Sequence, residues 1–137
     1  MEFVDKTIEV NADIRAAYEA WTAFEDFPQF MEVVESVDLI EQDGLHWTAL
    51  VEDVVLEWDA DVVERVQDES VSWRARDGRE TGKVTFDKVQ TDLTKVHYQL
   101  DYDPAAWPGD ANATRNWMST RIDEDLDAFK TLMGTTD

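Results

Sequence analysis

Residues 2–10 alternate, with Val4, Lys6, Ile8 and Val10 on one face and Phe3, Asp5, Thr7 and Glu9 on the other, the period-two signature of a strand. Asn11 follows as a helix N-cap. Ile14, Ala17, Tyr18 and Trp21 then recur at i, i+3, i+4 and i+7, one apolar stripe of a short helix. Phe24, Phe27, Phe30 and Met31 gather around Pro28, in a segment too short and too broken for more than one or two turns. From Val33 to Tyr102 the period returns to two, with turn signals at Gln42-Asp43-Gly44, Gln67-Asp68-Glu69, Asp77-Gly78 and Gln90-Thr91-Asp92. These divide the run into strands over 34–41, 45–52, 54–66, 70–76, 80–90 and 93–102. Pro104, Pro108 and Gly109 end the sheet, and Met118, Ile122, Leu126, Phe129 and Met133 at helical spacing predict a closing amphipathic helix.

Short connections favour antiparallel neighbours, hence a meander. A twisted sheet with one apolar face needs a cover, and the last helix is the long amphipathic element available for it. No repeat, low-complexity segment or Pro/Gly/Ser-rich linker interrupts the chain, so one α+β domain over residues 1–137 is expected.

The strand registers predict which side chains face the helix. Leu45, Trp47, Ala49 and Val51 point inward on one strand, and Val54, Leu56, Trp58, Ala60 and Val62 on the next. Val71, Trp73 and Ala75 follow, then Gly82, Val84 and Phe86, then Val96, Tyr98, Leu100 and Tyr102. By this reading the interior is rich in aromatics and, apart from the phenols of Tyr98 and Tyr102, nearly free of titratable groups. That weighs against hydrolysis, phosphoryl transfer and metal catalysis, which need converging carboxylates, imidazoles or a nucleophile. His46 and His97 fall on the outer face in separate strands, and Asp59 and Asp61 read as solvated charges, so no metal site is expected. Arg74, Arg76, Arg115 and Arg121 read as surface cations, Arg115 near the end of the interior. The sequon Asn112-Ala113-Thr114 reads as loop and helix-capping chemistry. The inward aromatics fit either a filled core or the wall of a pocket, and one helix covering a curved sheet favours the pocket.

Composition adds three constraints. With 137 residues, 43% hydrophobic and 11% aromatic, the chain can bury a core. It has no cysteine, which excludes a disulfide scaffold and a thiol nucleophile. Asp plus Glu number 32 against 12 Lys plus Arg, a formal net charge of −20, which makes nucleic acid and anionic membranes poor partners. The acidic residues are spread along the chain as a solvated face, and with so few lysines they suggest a high-salt cytoplasm. Residues 1–6 are acidic and alternating, unlike a secretory signal, and no apolar run is long enough to span a bilayer. The expectation is a soluble, cytoplasmic protein without stable membrane insertion.

Several stretches resemble a known family: Ile8-Glu9-Val10-Asn11-Ala12, Trp21 to Met31 with its Phe27-Pro28 and Phe30-Met31, and Val34-Glu35-Ser36-Val37. They continue through His46-Trp47, Glu57-Trp58-Asp59-Ala60, Val71-Ser72-Trp73-Arg74, Gly82 to Phe86 and Tyr102-Asp103-Pro104. The chain resembles the START-like (SRPBCC) superfamily in its polyketide cyclase/dehydrase branch, which includes the coenzyme Q-binding proteins. The resemblance implies a helix-grip fold: a curved seven-stranded antiparallel sheet around a long C-terminal helix, with two short helices after the first strand. It further implies an apolar cavity binding a lipid, polyketide or quinone, with no cofactor. The wall would comprise Trp47, Trp58, Trp73, Phe86 and Tyr98 from the strands and Met118 from the last helix, extended by Phe30, Met31, Tyr102, Trp117 and Ile122. The leading expectation is a binder or carrier. One alternative is an aromatase/cyclase in which Tyr98, Tyr102 or Arg115 polarises a ketone. The other is a protein-interaction module with an exposed apolar patch, and the oligomeric state stays open.

At molar salt the Debye length falls to ~3 Å, so repulsion among the carboxylates is screened. The melting temperature, followed by circular dichroism, is expected to rise with added KCl; a flat or falling curve counts against adaptation to high salt.

Overall fold

The computed structural model describes residues 2–41 and 43–134. The alternating segments form β1 (Glu2–Val10), β2 (Val34–Ile40), β3 (Gly44–Val51), β4 (Val54–Val66), β5 (Ser70–Ala75), β6 (Glu80–Gln90) and β7 (Leu93–Tyr102). Between β1 and β2 lie α1 (Ile14–Thr22) and a 3-10 segment (Phe24–Gln29); after β7 come a 3-10 turn (Pro104–Ala106) and α2 (Ala111–Gly134). Gln42, part of one turn signal, lies outside the described residues.

All strands join one antiparallel sheet in the order β1-β7-β6-β5-β4-β3-β2. β2 to β7 follow as successive hairpins, whereas β1 takes the far edge beside β7. The chain between β1 and β2 must therefore cross from one edge to the other. It does so on the covered face, with α1 against β5, β6 and β7 and the 3-10 segment against β2. Register shifts at Val34/Ser36, Val62/Glu64 and Lys88/Gln90 bend the strands, as bulges do, and curl the sheet. This is the helix-grip architecture the resemblance implies.

Local chemistry sets the element ends. β3 and β4 are joined by Glu52 and Asp53, at φ 50° and 67°, a two-residue turn whose twist matches the strands it links. Asp13, not the expected Asn11, caps α1: its carboxylate accepts from Ala16 N–H at 2.7 Å. Asp110 does the same for α2, accepting from Ala113 N–H at 2.8 Å, while Thr114 of the sequon is buried with its hydroxyl on Pro108 O at 3.2 Å. Val54, expected inside, is 44% exposed beside exposed Leu50 and Val55, because the β3–β4 tip reaches past the covered part of the sheet.

Apolar burial holds the cover in place. α2 buries Met118, Ile122, Leu126 and Phe129 against the sheet, running nearest β1, and each contributes about 1.5–3 kcal/mol when fully buried. α1 adds Ala17, Tyr18 and Trp21, and the 3-10 segment adds Phe24 and Phe27.

Gly82 makes one packing contact possible. A Cβ there would lie 2.5 Å from Cε2 and Cζ2 of the Trp73 indole, which lies across β6 at that point. Gly82→Ala is expected to destabilise the fold by about 1–3 kcal/mol, the usual range for overpacking, in urea denaturation. An unchanged midpoint would show that Trp73 moves aside freely.

Candidate functional site

Period two on β6 carries inward not only Gly82, Val84 and Phe86 but also Glu80, which is 1% exposed. On α2, Arg121 and Asp125 lie on the same side as Met118, Ile122 and Phe129, and both are buried. Three ionisable side chains thus lie inside the core. This corrects the expectation of an interior nearly free of titratable groups apart from the Tyr98 and Tyr102 phenols, and of Arg121 as a surface cation. The signal was in the pattern: Glu80 shares the parity of Val84, and 118, 121, 125 and 129 follow helical spacing.

Their partners are sparse. Arg121 Nε stands 3.5 Å from Asp125 Oδ2, and Arg121 Nη1 donates to Met118 Sδ at 3.5 Å. Trp73 Nε1 donates to Glu80 Oε2 at 3.5 Å, the limit of hydrogen-bond length. Guanidinium and indole planes complete the surroundings. Arg79, tied by Nε to Asp77 at 3.0 Å, lies over Trp58 at 4.8 Å and Trp107 at 5.4 Å. Arg121 lies 5.9 Å from Trp107 and 5.6 Å from Trp117.

Burial pushes Glu80 up toward its protonated form, against the pull of Arg121, the Trp73 N–H and Arg79. Asp125 rises for the same reason, to about 6, with Arg121 opposing. Burial also keeps the Tyr98 phenol neutral by raising its pKa. For Arg121 burial opposes the charge, but Asp125 and Glu80 outweigh it and hold the guanidinium above its usual range.

Several buried polar atoms make no hydrogen bond within the protein. They are the indole N–H groups of Trp21, Trp47, Trp58 and Trp107, Arg79 Nη1, Arg121 Nε, the Tyr102 hydroxyl, Glu80 Oε1 and Asp125 Oδ2. A buried group left unsatisfied costs about 1–3 kcal/mol, and cores built only for packing rarely keep so many.

The aromatic residues expected to line a cavity do converge here, but as contacting rings. Trp47 and Trp58 stack at 5.8 Å, Trp47 meets Trp73 at 6.1 Å, and Trp73 meets Tyr98 edge-on at 6.1 Å. Trp58 meets Trp107 at 5.4 Å, a contact the sequence pattern does not assign. Phe30 belongs to a second group of rings with Trp21, Phe27 and Phe129. Phe30, Met31, Trp47, Trp58, Trp73, Phe86, Tyr98, Tyr102, Met118 and Ile122 are each at most 4% exposed, so the expected open vault is closed by its own walls in this structure. Trp117 is half-buried at the rim. Beside Phe30, a surface groove of about 220 Å³ runs between α1, the 3-10 segment and the end of α2, lined also by Leu132 and Met133.

The remaining candidates lie outside. Arg115 is bound to Glu2 and to Asn112 Oδ1 on the surface. His46 bridges Asp59 at 2.7 Å and Glu57 at 3.1 Å, which raises its pKa, and His97 pairs with Asp5 at 2.9 Å. Arg76 pairs with Asp61 at 2.9 Å.

A curled antiparallel sheet, a long C-terminal helix and an aromatic interior define a START-like helix-grip protein. The sequence matches the family described as polyketide cyclase/dehydrase and lipid transport over residues 10–130, and the chain belongs to that family. A 17.2 kDa uncharacterised protein of Streptomyces lincolnensis is 35% identical over 132 residues, covering 95% of this chain and 88% of that one. Among solved structures, a START superfamily protein from Mycobacterium smegmatis superposes with TM-score 0.84 at 12% identity, over 98% of this chain and 99% of the other. The Zhui aromatase/cyclase from a Streptomyces species gives TM-score 0.72 at 12% identity, over 95% and 89%. Identities this low establish the shared fold alone. Among the described residues no helix is long and apolar enough to cross a membrane.

Asp125 makes a pH prediction. Its folded pKa of about 6 exceeds the ordinary 3.8, so the folded state holds the proton more tightly. The resulting stability is complete below the unfolded pKa and is lost as pH rises through about 6. Every tenfold difference in proton affinity between the folded and unfolded chain corresponds to about 1.4 kcal/mol. Asp125→Asn is expected to flatten the urea-denaturation stability profile between pH 4 and 7 relative to the parent; parallel profiles would place the titration elsewhere.

Proposed function

We propose that this protein binds a hydrophobic small molecule of lipid, polyketide or quinone type between the sheet and α2. Trp47, Trp58, Trp73, Phe86, Tyr98 and Met118 form the central contact surface, with Phe30, Met31, Tyr102, Trp117 and Ile122 around them. The family description, which joins cyclase chemistry with lipid transport, supports the class of ligand. The observation that carries the reading is the set of unpartnered indole and guanidinium donors inside an apolar shell. Binding sites take this form: mostly hydrophobic walls with a few polar groups that orient the guest. Ligand entry displaces ring–ring contacts with ligand–ring contacts of similar kind. Burying ~300 Å² of ligand would contribute about 7 kcal/mol before association costs.

A second reading, ring closure of a polyketide chain, draws on one observation. Glu80 is held toward its acid form beside Arg121, an arrangement able to donate a proton or a hydrogen bond to a ketone oxygen. Tyr98 would remain a neutral donor. Arg115, paired with Glu2 on the surface, does not face this centre.

Titration with a naphthoquinone, a naphthol and a C16 fatty acid, read by tryptophan emission, is the direct test. At least one is expected to quench the emission saturably at micromolar concentration, and Trp58→Ala to lose most of the change. No saturable change with any of them, and no small molecule retained in native mass spectrometry, would overturn the reading.

A further inference from the structure

The unpartnered atoms are not evenly divided between donors and acceptors. The indole N–H groups of Trp58 and Trp107, with Arg79 Nη1, are donors that can give nothing back, as are the N–H groups of Trp47 and Trp21, while Arg121 Nε faces Asp125 Oδ2 at 3.5 Å in an ion pair. Against them stand one carboxyl oxygen, Glu80 Oε1, and the Tyr102 hydroxyl, which can donate or accept.

The donors are also grouped. Arg79 lies over the rings of both Trp58 and Trp107, and Arg121 near those of Trp107 and Trp117, so the two guanidinium groups and three contacting indoles form one connected ladder. Its members come from β4, the residue before β6, the segment after β7 and α2, and the Arg79 side chain is 14% exposed. Arg121 is more deeply buried, at 4% exposed.

From this arrangement we infer that the ladder reads the carboxylate of a planar aromatic acid, the ring lying among the indoles and the oxygens meeting Arg79 and Arg121. The inference rests on the binding function proposed above and names the ligand class for that site. A hydrocarbon tail would leave every one of these donors unpaired. A lone hydroxyl offers an acceptor to one or two of them. A carboxylate offers two oxygens with about four lone-pair positions in the plane that a guanidinium fork matches. Aromatic rings suit the walls for the same geometric reason, since flat guests stack on indole and guanidinium faces.

The test compares 2-naphthoate with 2-methylnaphthalene, two guests of one ring system differing in the head, by tryptophan-emission titration at pH 7. Naphthoate is expected to bind at least about tenfold more tightly, the factor that one charge-assisted hydrogen bond supplies. In Arg121→Met this preference is expected to fall to about twofold or less. Arg79→Met, at the more exposed of the two, is expected to reduce it as well and serves should the Arg121 variant fail to fold. Equal affinities in the parent would overturn the carboxylate assignment and leave hydrophobic binding standing. The same holds if the preference is unchanged in both variants, or in Arg79→Met alone should Arg121→Met not fold. Binding of neither guest to the parent would overturn the aromatic-acid assignment, and the wider binding reading with it only if the three probes and native mass spectrometry named above fail as well.

Discussion

A charge inside a protein must be answered by other groups of the protein, and Arg121 poses that demand at the middle of α2. Removing a guanidinium from water costs several kcal/mol that nearby attraction repays only with good geometry. Here the answer comes from three elements. Asp125 lies one turn along the same helix, Glu80 rises from β6, and Trp107 and Trp117 offer ring faces. The register of β6 and the azimuth of α2 are therefore linked: turning the helix away would strand Arg121 or Glu80 in hydrocarbon. Gly82 belongs to the same arrangement, because only a residue without a side chain lets Trp73 lie over β6 with its N–H toward Glu80.

Such a centre is a poor device for stability alone. Replacing buried ion pairs with apolar residues of similar volume is often neutral or stabilising, and the unpaired atoms around this one add to its cost. A core selected only to fold would fill the space with leucine and phenylalanine, as the second ring group of Trp21, Phe27, Phe30 and Phe129 nearly does. The interior thus divides chemically. One group of rings carries a single indole N–H, that of Trp21; the other, which it touches at Trp21–Tyr98 and Phe27–Trp47, carries guanidinium, carboxyl and several indole N–H groups. That division gives the proposed guest an orientation, apolar body one way and polar head the other.

The architecture was legible because it depends on periodicity. Alternation from Val33 to Tyr102, the spacing of Met118 to Phe129 and the prolines after Tyr102 sufficed for seven strands, a closing helix and the order of elements. The inward residues of β3 and β5 to β7 followed from the same parity. The polar centre is hidden because glutamate, arginine and aspartate ordinarily face solvent, whereas strand parity at Glu80 and helical spacing at Arg121 and Asp125 put these three on the core side. The closed ring packing was not legible in principle. Whether indoles from opposing strands touch or leave room depends on sheet curl, helix depth and rotamers, none of which a one-dimensional pattern encodes. Asn11 and Asp13 illustrate a smaller limit: both can cap a helix, and only the backbone decides which does.

The surface charge and the interior charge act on different scales. The chain carries a net −20, yet a carboxylate on its exterior acts through water. At ~15 Å such a pair interacts by about 0.3 kcal/mol before screening, and a Debye length of ~8 Å reduces that severalfold. Even summed over the acidic surface, this amounts to roughly 1 kcal/mol of repulsion toward an incoming anion. A guanidinium at ~4 Å in a medium of effective dielectric near 20 attracts the same anion by about 4 kcal/mol, reduced for Arg121 by the repulsion of its ion-pair partner Asp125. The exterior therefore sets solubility and salt response, while recognition is decided locally. An acidic protein can bind an acid, provided that its few interior cations are placed where water is excluded, as Arg121 is.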